Sequence, residues 1–272
     1  MKEKKLSCWE DFEREIGEIF RGYEERCRKL PSLRYSPPLF RGQGELCWPL
    51  KTTLERYAEH PFTMREYWKL IRGIKSHAES ATERRWELAE YPEDEPEPHG
   101  PPFGYEFMVY LRHHGFPSPL LDWSASPYVA AFFAFRSVPT QERLADLDAE
   151  GAIYCYQEYW EGAKIWDSNE PHIIGLGPTI TTTSRHFRQQ SWYTICRVLR
   201  DGHYAYANHE EVFHKGGPVP QDVLTKYRIP FSQWQQVRER LSMMNINAYT
   251  LFGNEEGLMG ALAYKAIIAK SL

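Results

Sequence analysis

The segment from His113 to Phe135 constrains the fold of this chain more than any other part of the sequence. It begins with the polar run HHGFPSPLLDWSASP and continues as the apolar run YVAAFFAF. Three prolines exclude a regular helix across the polar part, because proline lacks an N–H and restricts the residue before it. The small and aromatic residues that follow predict a buried helix that begins at Pro127, with Ser126 as its N-cap. The sequence therefore predicts a rigid polar loop that ends at a helix N-terminus.

The same polar run concentrates side chains that bind ligands. It holds the imidazoles of His113 and His114, the carboxylate of Asp122, the indole of Trp123 and the hydroxyl of Ser124. Such a loop before a helix N-terminus suits a ligand that carries phosphate. Taken singly, each residue has an alternative interpretation, since polar side chains in proline-rich loops often satisfy neighbouring backbone groups. The run as a whole favours a binding site.

The composition is that of an ordinary globular chain without a strong charge bias. The sequence has 272 residues, 42% of them hydrophobic and 26% charged, and a net charge of -4. This charge gives no general attraction to nucleic acid or to an anionic membrane. The five cysteines are scattered and form no CxxC pair, which indicates neither a disulfide framework nor a zinc site. Since neither a signal peptide nor a membrane-length apolar run is evident, we expect a cytoplasmic protein without a membrane partner.

The periodicity of apolar residues predicts one α+β domain over residues 1–272, with a helical N-terminal half. A first helix is expected over 7–30, opened by Ser7 and Glu10 at the spacing of a capping box. Further helices are expected over 48–56, 63–86, 103–114, 232–244, with Ser232 as cap, and 258–270. Strands are expected over 39–43, 151–159, 191–199 and 227–230, with an extended segment over 173–183. An acidic, proline-rich loop at about 90–102 is expected to lie on the surface.

A second candidate binding element lies at the end of the first predicted strand. There Arg41 stands between an aromatic residue and Gly42, followed by Gln43. An arginine can form a bidentate pair with a phosphate, and a glycine lets a ligand approach the backbone. The alternative is a partly buried arginine that pairs with a carboxylate of the protein. A third element, RHFRQQSWY at 185–193, combines two arginines and two glutamines; its alternative interpretation is a solvated turn.

In this order, the motifs resemble those of the FRG-domain family, which is named for a Phe-Arg-Gly motif. That motif stands at 40–42, and the family's long central pattern is similar to HHGFP, LLDW, SP, VA and FA between residues 113 and 134. Later elements of the family resemble 185–193, 228–230 and 251–258. The chain departs from the family pattern at Ser191, Gly253 and Asn254, where the family has glycine, proline and an acidic residue.

A weaker resemblance is to the mono-ADP-ribosyltransferases. It implies a fold in which helices of the N-terminal half surround a small mixed or antiparallel β core, with NAD as the substrate and no metal. The residues implied to hold NAD are Arg41, Gly42, Gln43, Trp123, Ser124, Ser126 and Tyr193. The residues implied to act in catalysis are His113, His114, Asp122 and Gln189. The late catalytic glutamate of that superfamily is absent from 185–193, and Asp122 and Glu256 are its candidate replacements.

The function implied is that of an NAD-consuming ADP-ribosyltransferase or NAD glycohydrolase, acting as a toxin or defence effector. Its acceptor would be an unknown protein or nucleic acid, and an antitoxin or other defence-system protein is a candidate partner. The alternative is a non-catalytic module that binds a nucleotide or nucleic acid in the same pocket. A metal-dependent hydrolase built on His113, His114 and Asp122 is a third hypothesis, although the sequence lacks the spaced third histidine of such sites.

The polar segments are expected to meet in the folded chain. Arg41, the 113–127 run and the 185–193 element should converge on one cleft. Since adjacent residues on a helix point about 100° apart, we expect only one of His113 and His114 to line that cleft. The other histidine is expected to orient the loop at 117–123 through a backbone bond.

Overall fold

Eight strands form one mixed sheet in the computed structural model, which describes residues 1–33, 35–92, 100–159, 164, 169–213 and 222–268. The strands are β1 (Lys2–Lys5), β2 (Leu39–Gln43), β3 (Leu121–Ser124), β4 (Glu150–Gln157), β5 (His172–Leu176), β6 (Ser191–Arg200), β7 (His203–Tyr206) and β8 (Val223–Pro230). Their order is β1-β8-β4-β2-β3-β6-β5, and β7 pairs with β6. Among the described strands, β1 and β8 form the one parallel pair, and the other pairs are antiparallel.

The described helices lie before, between and after these strands. They are α1 (Trp9–Lys29), α2 (Thr53–Tyr57), α3 (Met64–Thr82), α4 (Tyr105–His113), α5 (Pro127–Ala134), α6 (Gln141–Ala145), α7 (Ser184–Arg188), α8 (Trp234–Met243), α9 (Ala248–Phe252) and α10 (Glu255–Ala263). Short 3-10 turns occur at His209–Phe213 and Phe231–Gln233, and a π turn at Tyr264–Ile268 follows α10. In the part of the chain that the structure describes, no helix is both long and apolar enough to cross a membrane.

Two groups of helices cover one face of the sheet and meet along β3. Phe40 on β2 pairs with Ser124 on β3, and Asp122 pairs with Tyr193 on β6, so these four side chains lie on the same face. Phe40 belongs to the apolar core under α1, α5 and α8. Tyr193 belongs to the core under α3 and α4. Asp122 and Ser124 therefore lie where the two cores meet.

The opposite face of the sheet carries a third apolar cluster. Leu39, Trp123 and Tyr154 alternate with the residues of the first face and lie in this cluster. Loop segments before α2 and after β7 contribute Leu50 and Ala207 to this cluster. The two faces of β3 are thus buried by different parts of the chain.

The first helix lies where the sequence predicts it, but its N-terminus differs from the prediction. The N-cap of α1 is Cys8, whose side chain makes no capping bond. The box predicted from Ser7 and Glu10 is wrong, because the Ser7 N–H donates to the Asp11 carboxylate at 3.1 Å. The Asp11 carboxylate thus accepts the N–H that the Glu10 carboxylate was expected to accept.

Two other helices begin later than the sequence predicts, because a threonine caps each of them. Thr52 caps α2 and Thr63 caps α3, each in a full capping box, so neither helix includes the residues before its cap. Ser126 caps α5 as predicted, and its Oγ accepts from the Val129 N–H. Ser232 does not cap α8, because it lies inside the 3-10 turn that precedes that helix.

The predicted strands β2, β4 and β6 are confirmed to within two residues at each end. Strand β8 is longer than predicted, and β1 and β7 were not predicted. The expectation of a loop across 121–124 is wrong: these residues form β3, paired on both sides with β2 and β6. The prolines at 119 and 127 flank this strand and leave its N–H groups free to pair. Of the predicted acidic loop, residues 93–99 lie outside the described residues.

The architecture combines helices with a mostly antiparallel sheet, in agreement with the mixed helix and strand content expected from the sequence. The sheet is larger than the small β core expected, and its centre includes β2 and β3 from the first half of the chain. The helices therefore pack on a sheet to which both halves of the chain contribute strands.

Candidate anion-binding site

The predicted polar segments meet around Asp122. The side chain of this residue is 38% exposed, and one of its oxygens accepts from Arg112 Nη2 at 2.5 Å. Its charge also acts on Arg41, His113 and Arg185. We call these five residues the Asp122 cluster. A carboxylate on a central strand is thus surrounded by cations from β2, α4 and α7.

Arg41 reaches the cluster from within the sheet. Its side chain leaves β2 on the face opposite to Asp122, beside Tyr154 of β4. Because β2 and β3 pair only at Phe40 and Ser124, Arg41 Nη1 is able to donate to the Asp122 backbone oxygen, at 2.9 Å. Burial lowers the pKa of Arg41 to about 10, and the negative charge of Asp122 opposes that shift. Arg41 therefore remains a cation at neutral pH.

Arg185 adds a further cation from α7. Its guanidinium lies 4.8 Å from the centre of the Phe252 ring on α9, and the guanidinium of Arg136 lies at the same distance from that ring. Such cation–π contacts hold a guanidinium without using its N–H donors. Burial lowers the pKa of Arg185, the charge of Asp122 raises it, and Arg136 lowers it further. The aromatic ring thus positions Arg185 while its donors stay available.

The cluster carries more positive than negative charge, and its polar atoms are incompletely paired. Burial keeps His113 neutral, so three guanidiniums oppose one carboxylate. Five buried atoms of the cluster lack a hydrogen-bond partner in the described part of the chain: Arg41 Nε, Arg112 Nε, His113 Nδ1, Asp122 Oδ1 and Arg185 Nε. Buried polar atoms are normally paired, because leaving one unpaired costs about 1–3 kcal/mol. The arrangement indicates a site for a polar, anionic ligand.

His113 is the predicted histidine that lies in the interior. Its Nε2 is 2.8 Å from the hydroxyl of Tyr193, and the same hydroxyl is 3.1 Å from Nδ1 of His186. His186 is buried, and its Nε2 is 2.9 Å from the backbone oxygen of Pro178. Burial lowers the pKa of His113 to about 4, opposed by the charge of Asp122. The imidazole is therefore neutral at physiological pH.

His114 has a different position. The expectation that the second histidine orients the loop at 117–123 through a backbone bond is wrong. Its ring is exposed and packs against Tyr110, with the ring centres 4.4 Å apart. The loop at 117–123 is held instead by Tyr67, whose hydroxyl donates to the Pro117 oxygen at 2.8 Å. The two histidines thus diverge, which does not suit the metal site of the third hypothesis. Among the described residues no group of three or more His, Cys, Asp or Glu side chains could hold a metal ion.

Gly42 and Gln43 serve the packing of β2. A Cβ at position 42 would lie 1.8 Å from the Ala130 backbone oxygen, so glycine is required for α5 to cross the strand. The expectation that Gly42 opens the backbone to a ligand is wrong, because that space is occupied by the helix. Gln43 is buried, and its amide donates to the Pro49 oxygen at 3.4 Å.

The two serines and Gln189 are occupied by local structure. Ser124 Oγ donates to the Gln189 backbone oxygen at 2.8 Å and accepts from the Ser126 N–H at 3.0 Å. Ser126 Oγ caps α5. The Gln189 amide donates to the Leu251 oxygen at 3.2 Å, which links the start of β6 to α9. The hydrogen-bonding groups of these side chains are therefore engaged by the backbone.

Strand alternation separates the aromatic residues that were expected to hold one ligand. Trp123 and Trp192 lie on the face opposite to Asp122, and Trp123 Nε1 donates to Thr194 Oγ1 at 2.8 Å. Tyr193 lies on the Asp122 face, fully buried and bonded to His113. Trp123 and Tyr193 therefore lie on opposite faces of the sheet.

Two residues of the site were missed by sequence reasoning. Arg112 lies next to His113 on α4, and a predicted helix that ends in three consecutive basic or imidazole residues was a signal for it. His186 was visible inside the 185–193 element but has no distinctive spacing. Glu256, a candidate for the missing glutamate, is exposed on the first turn of α10, where its charge suits the helix N-terminus.

Comparison with known protein families identifies one domain in this chain. The family model of the FRG domain matches residues 36–143, a stretch that runs from before β2 to within α6 and contains Arg41, Arg112, His113 and Asp122. Residues 36–143 therefore match the FRG domain, in agreement with the resemblance that the motifs indicate. Arg185 and Tyr193 lie beyond the matched residues. No curated protein and no solved structure matches the chain.

Proposed function

We propose that the Asp122 cluster binds the pyrophosphate of NAD and that the chain breaks the bond between nicotinamide and ribose. The observation that carries this proposal is the excess of guanidinium over carboxylate, with an unpaired buried N–H on each of Arg41, Arg112 and Arg185. Guanidinium pairs with phosphate in a bidentate fashion and binds it more strongly than a neutral donor does.

The charges of the cluster match those of a dinucleotide. Three cations and one carboxylate leave two positive charges in excess, and the pyrophosphate of NAD carries two negative charges. Asp122 is the one carboxylate of the cluster and is partly exposed, so a ligand is able to reach it. A carboxylate stabilises the oxocarbenium-like centre that forms when a glycosidic bond breaks. Transfer of ADP-ribose to a protein or nucleic acid, or to water, then completes the reaction.

The test is to incubate the purified chain with NAD and to follow the release of nicotinamide and the heat of NAD binding. Asp122→Asn should lower the release rate by about 100-fold without weakening NAD binding, because it removes the charge and keeps the shape. Arg185→Gln should weaken NAD binding by about 1.5–3 kcal/mol. The matched controls are Asp148→Asn and Arg240→Gln at exposed positions. If the wild type neither binds NAD nor releases nicotinamide, with or without cell extract, the proposal is wrong.

A second candidate function is binding of a phosphate-bearing nucleotide without chemistry. The observation that favours it is the engagement of Ser124, Ser126 and Gln189 in local structure, since the transferase resemblance assigns the two serines to NAD binding and Gln189 to catalysis. Under this alternative Asp122→Asn tightens nucleotide binding, because it removes the one negative charge, and no nicotinamide is released by any variant. The roles as toxin or defence effector remain predictions, tested by whether expression of the wild type arrests growth and Asp122→Asn relieves it.

A further inference from the structure

The hydrogen bonds behind His113 determine which of its nitrogens carries the proton. A backbone carbonyl only accepts, so His186 Nε2, 2.9 Å from the Pro178 oxygen, must carry a hydrogen. Burial lowers the pKa of His186, so its ring is neutral and Nδ1 is an acceptor. The Tyr193 hydroxyl, 3.1 Å from that Nδ1, therefore donates to His186.

The same reasoning extends from Tyr193 to His113. A tyrosine hydroxyl has one proton, and that proton is directed at His186, so its oxygen accepts from His113 Nε2 at 2.8 Å. A neutral His113 with its proton on Nε2 has a free lone pair on Nδ1. This Nδ1 is shielded from solvent and has no hydrogen-bond partner in the described residues. The chain from Pro178 to His113 thus fixes the tautomer with the acceptor nitrogen unoccupied.

We propose that His113 Nδ1 is the proton acceptor of the reaction, and this inference rests on the proposed function. The bond between C1′ of the ribose and the nicotinamide nitrogen breaks, and its electron pair leaves with nicotinamide. The oxygen of an acceptor hydroxyl, or of water, bonds to C1′, and its proton passes to His113 Nδ1. Tyr193 and His186 are positioning residues, since they fix the tautomer without touching the substrate.

The surroundings of His113 suit this role. The groups that act on the ring are Asp122, Arg185, His186 and Arg112, besides the hydroxyl of Tyr193. Burial and the two arginines keep the free ring neutral, so the acceptor is available at physiological pH. Once phosphate neutralises the arginines, the charge of Asp122 favours the imidazolium that forms. A proton accepted at Nδ1 is therefore stabilised more in the loaded site than in the free one.

The first test determines the tautomers of His113 and His186 directly, without NAD. Nitrogen-15 NMR of histidine-labelled protein distinguishes a protonated from an unprotonated imidazole nitrogen. We expect His113 with its proton on Nε2 and His186 with its proton also on Nε2. In Tyr193→Phe we expect His113 to populate both tautomers. A wild-type His113 that carries its proton on Nδ1 would overturn the proposal.

The second test separates binding from chemistry. His113→Gln retains an amide donor toward Tyr193 but has no basic nitrogen to accept a proton, so nicotinamide release should fall at least 100-fold while NAD affinity stays within twofold. Tyr193→Phe should lower release about 10-fold and change its pH profile, because the tautomer is no longer fixed. His77→Gln, exposed on α3, is the matched control. A wild type that does not cleave NAD disproves the proposed function and this inference together. A wild type that cleaves NAD and a His113→Gln variant that cleaves it equally fast disprove this inference alone.

Discussion

Arg41 Nη1 donates a hydrogen bond of 2.9 Å to the backbone oxygen of Asp122, across the line where β2 and β3 separate. The two strands pair only at Phe40 and Ser124, so this side-chain bond takes the place of the next main-chain bond between them. The same guanidinium keeps its buried Nε unpaired. Arg41 therefore stabilises the sheet through one nitrogen and contributes positive charge and a free donor to the candidate site.

This double role predicts that Arg41→Lys affects folding and binding together. A lysine has no planar guanidinium, so it does not bridge to the Asp122 oxygen and to a ligand at the same time. We expect the free energy of unfolding to fall by about 1 kcal/mol and NAD affinity to fall by about 1–3 kcal/mol. Urea denaturation and calorimetry measure the two effects, with the exposed Arg240→Lys as control. Weaker NAD binding at unchanged stability would show that Arg41 serves the ligand alone.

A pair of glycine variants tests the packing of β2 against α5. Gly42→Ala should lower the free energy of unfolding by about 3 kcal/mol or prevent folding, because its Cβ would overlap the Ala130 backbone oxygen. Gly73→Ala should raise it by about 0.5–1 kcal/mol, since this helical position has open space around it. Thermal and chemical denaturation measure both. A stable Gly42→Ala variant that has lost NAD binding would restore the ligand role that the sequence predicts.

Features specified by neighbouring residues were predictable from the sequence. Ser126 and Pro127 define the start of α5, and the apolar run after them defines its burial. The Phe-Arg-Gly strand and the strand at Ser191 were predictable for the same reason, because β-forming residues stand between turn-forming ones. The convergence of Arg41 and the 113–127 run was expected from their polar character, and Arg41 does bond to Asp122.

Features that depend on distant pairing were not predictable. Arg41 and Asp122 are 81 positions apart, and nothing local shows that β2 and β3 diverge beyond Phe40. The side chains of Asp122 and Trp123 face opposite sides of the sheet only because 121–124 is a strand, which its flanking prolines concealed. A run of four charged residues gave no sign of β1, whose parallel pairing with β8 leaves every side chain exposed.

A serine variant separates a structural from a ligand-binding role in the Ser-Ala-Ser segment. Ser124→Ala leaves the Gln189 oxygen and the Ser126 N–H without their partner, so the free energy of unfolding should fall by about 1–3 kcal/mol. NAD affinity should stay within twofold, because the hydroxyl is already occupied. Ser232→Ala, exposed before α8, should change stability by less than about 0.5 kcal/mol. Lost NAD binding at normal stability in Ser124→Ala would contradict the structural role.

The acid sensitivity of folding should depend on His209. This histidine is fully buried behind the sheet, and its Nε2 is 2.9 Å from Thr194 Oγ1. Burial, with a smaller contribution from the charge of Arg41, lowers its pKa from 6.5 to about 3. Between these two values the unfolded chain binds a proton at this residue and the folded chain does not. Stability is therefore fully present above about pH 6.5 and falls as the pH drops toward 3.

In His209→Gln the folded and unfolded chains should no longer differ in protons bound at this position, because glutamine does not titrate. Its side-chain oxygen is able to accept from Thr194 in place of the imidazole. The slope of unfolding free energy against pH, measured by urea denaturation between pH 6 and 4, should be smaller in the variant by up to about 1.4 kcal/mol per pH unit. Between pH 7.5 and 8.5, where the ring is neutral in both states, the slopes of the two proteins should agree. Equal slopes between pH 6 and 4 would mean that the folded chain admits a proton to His209, and that the face opposite to Asp122 is less closed than its packing indicates.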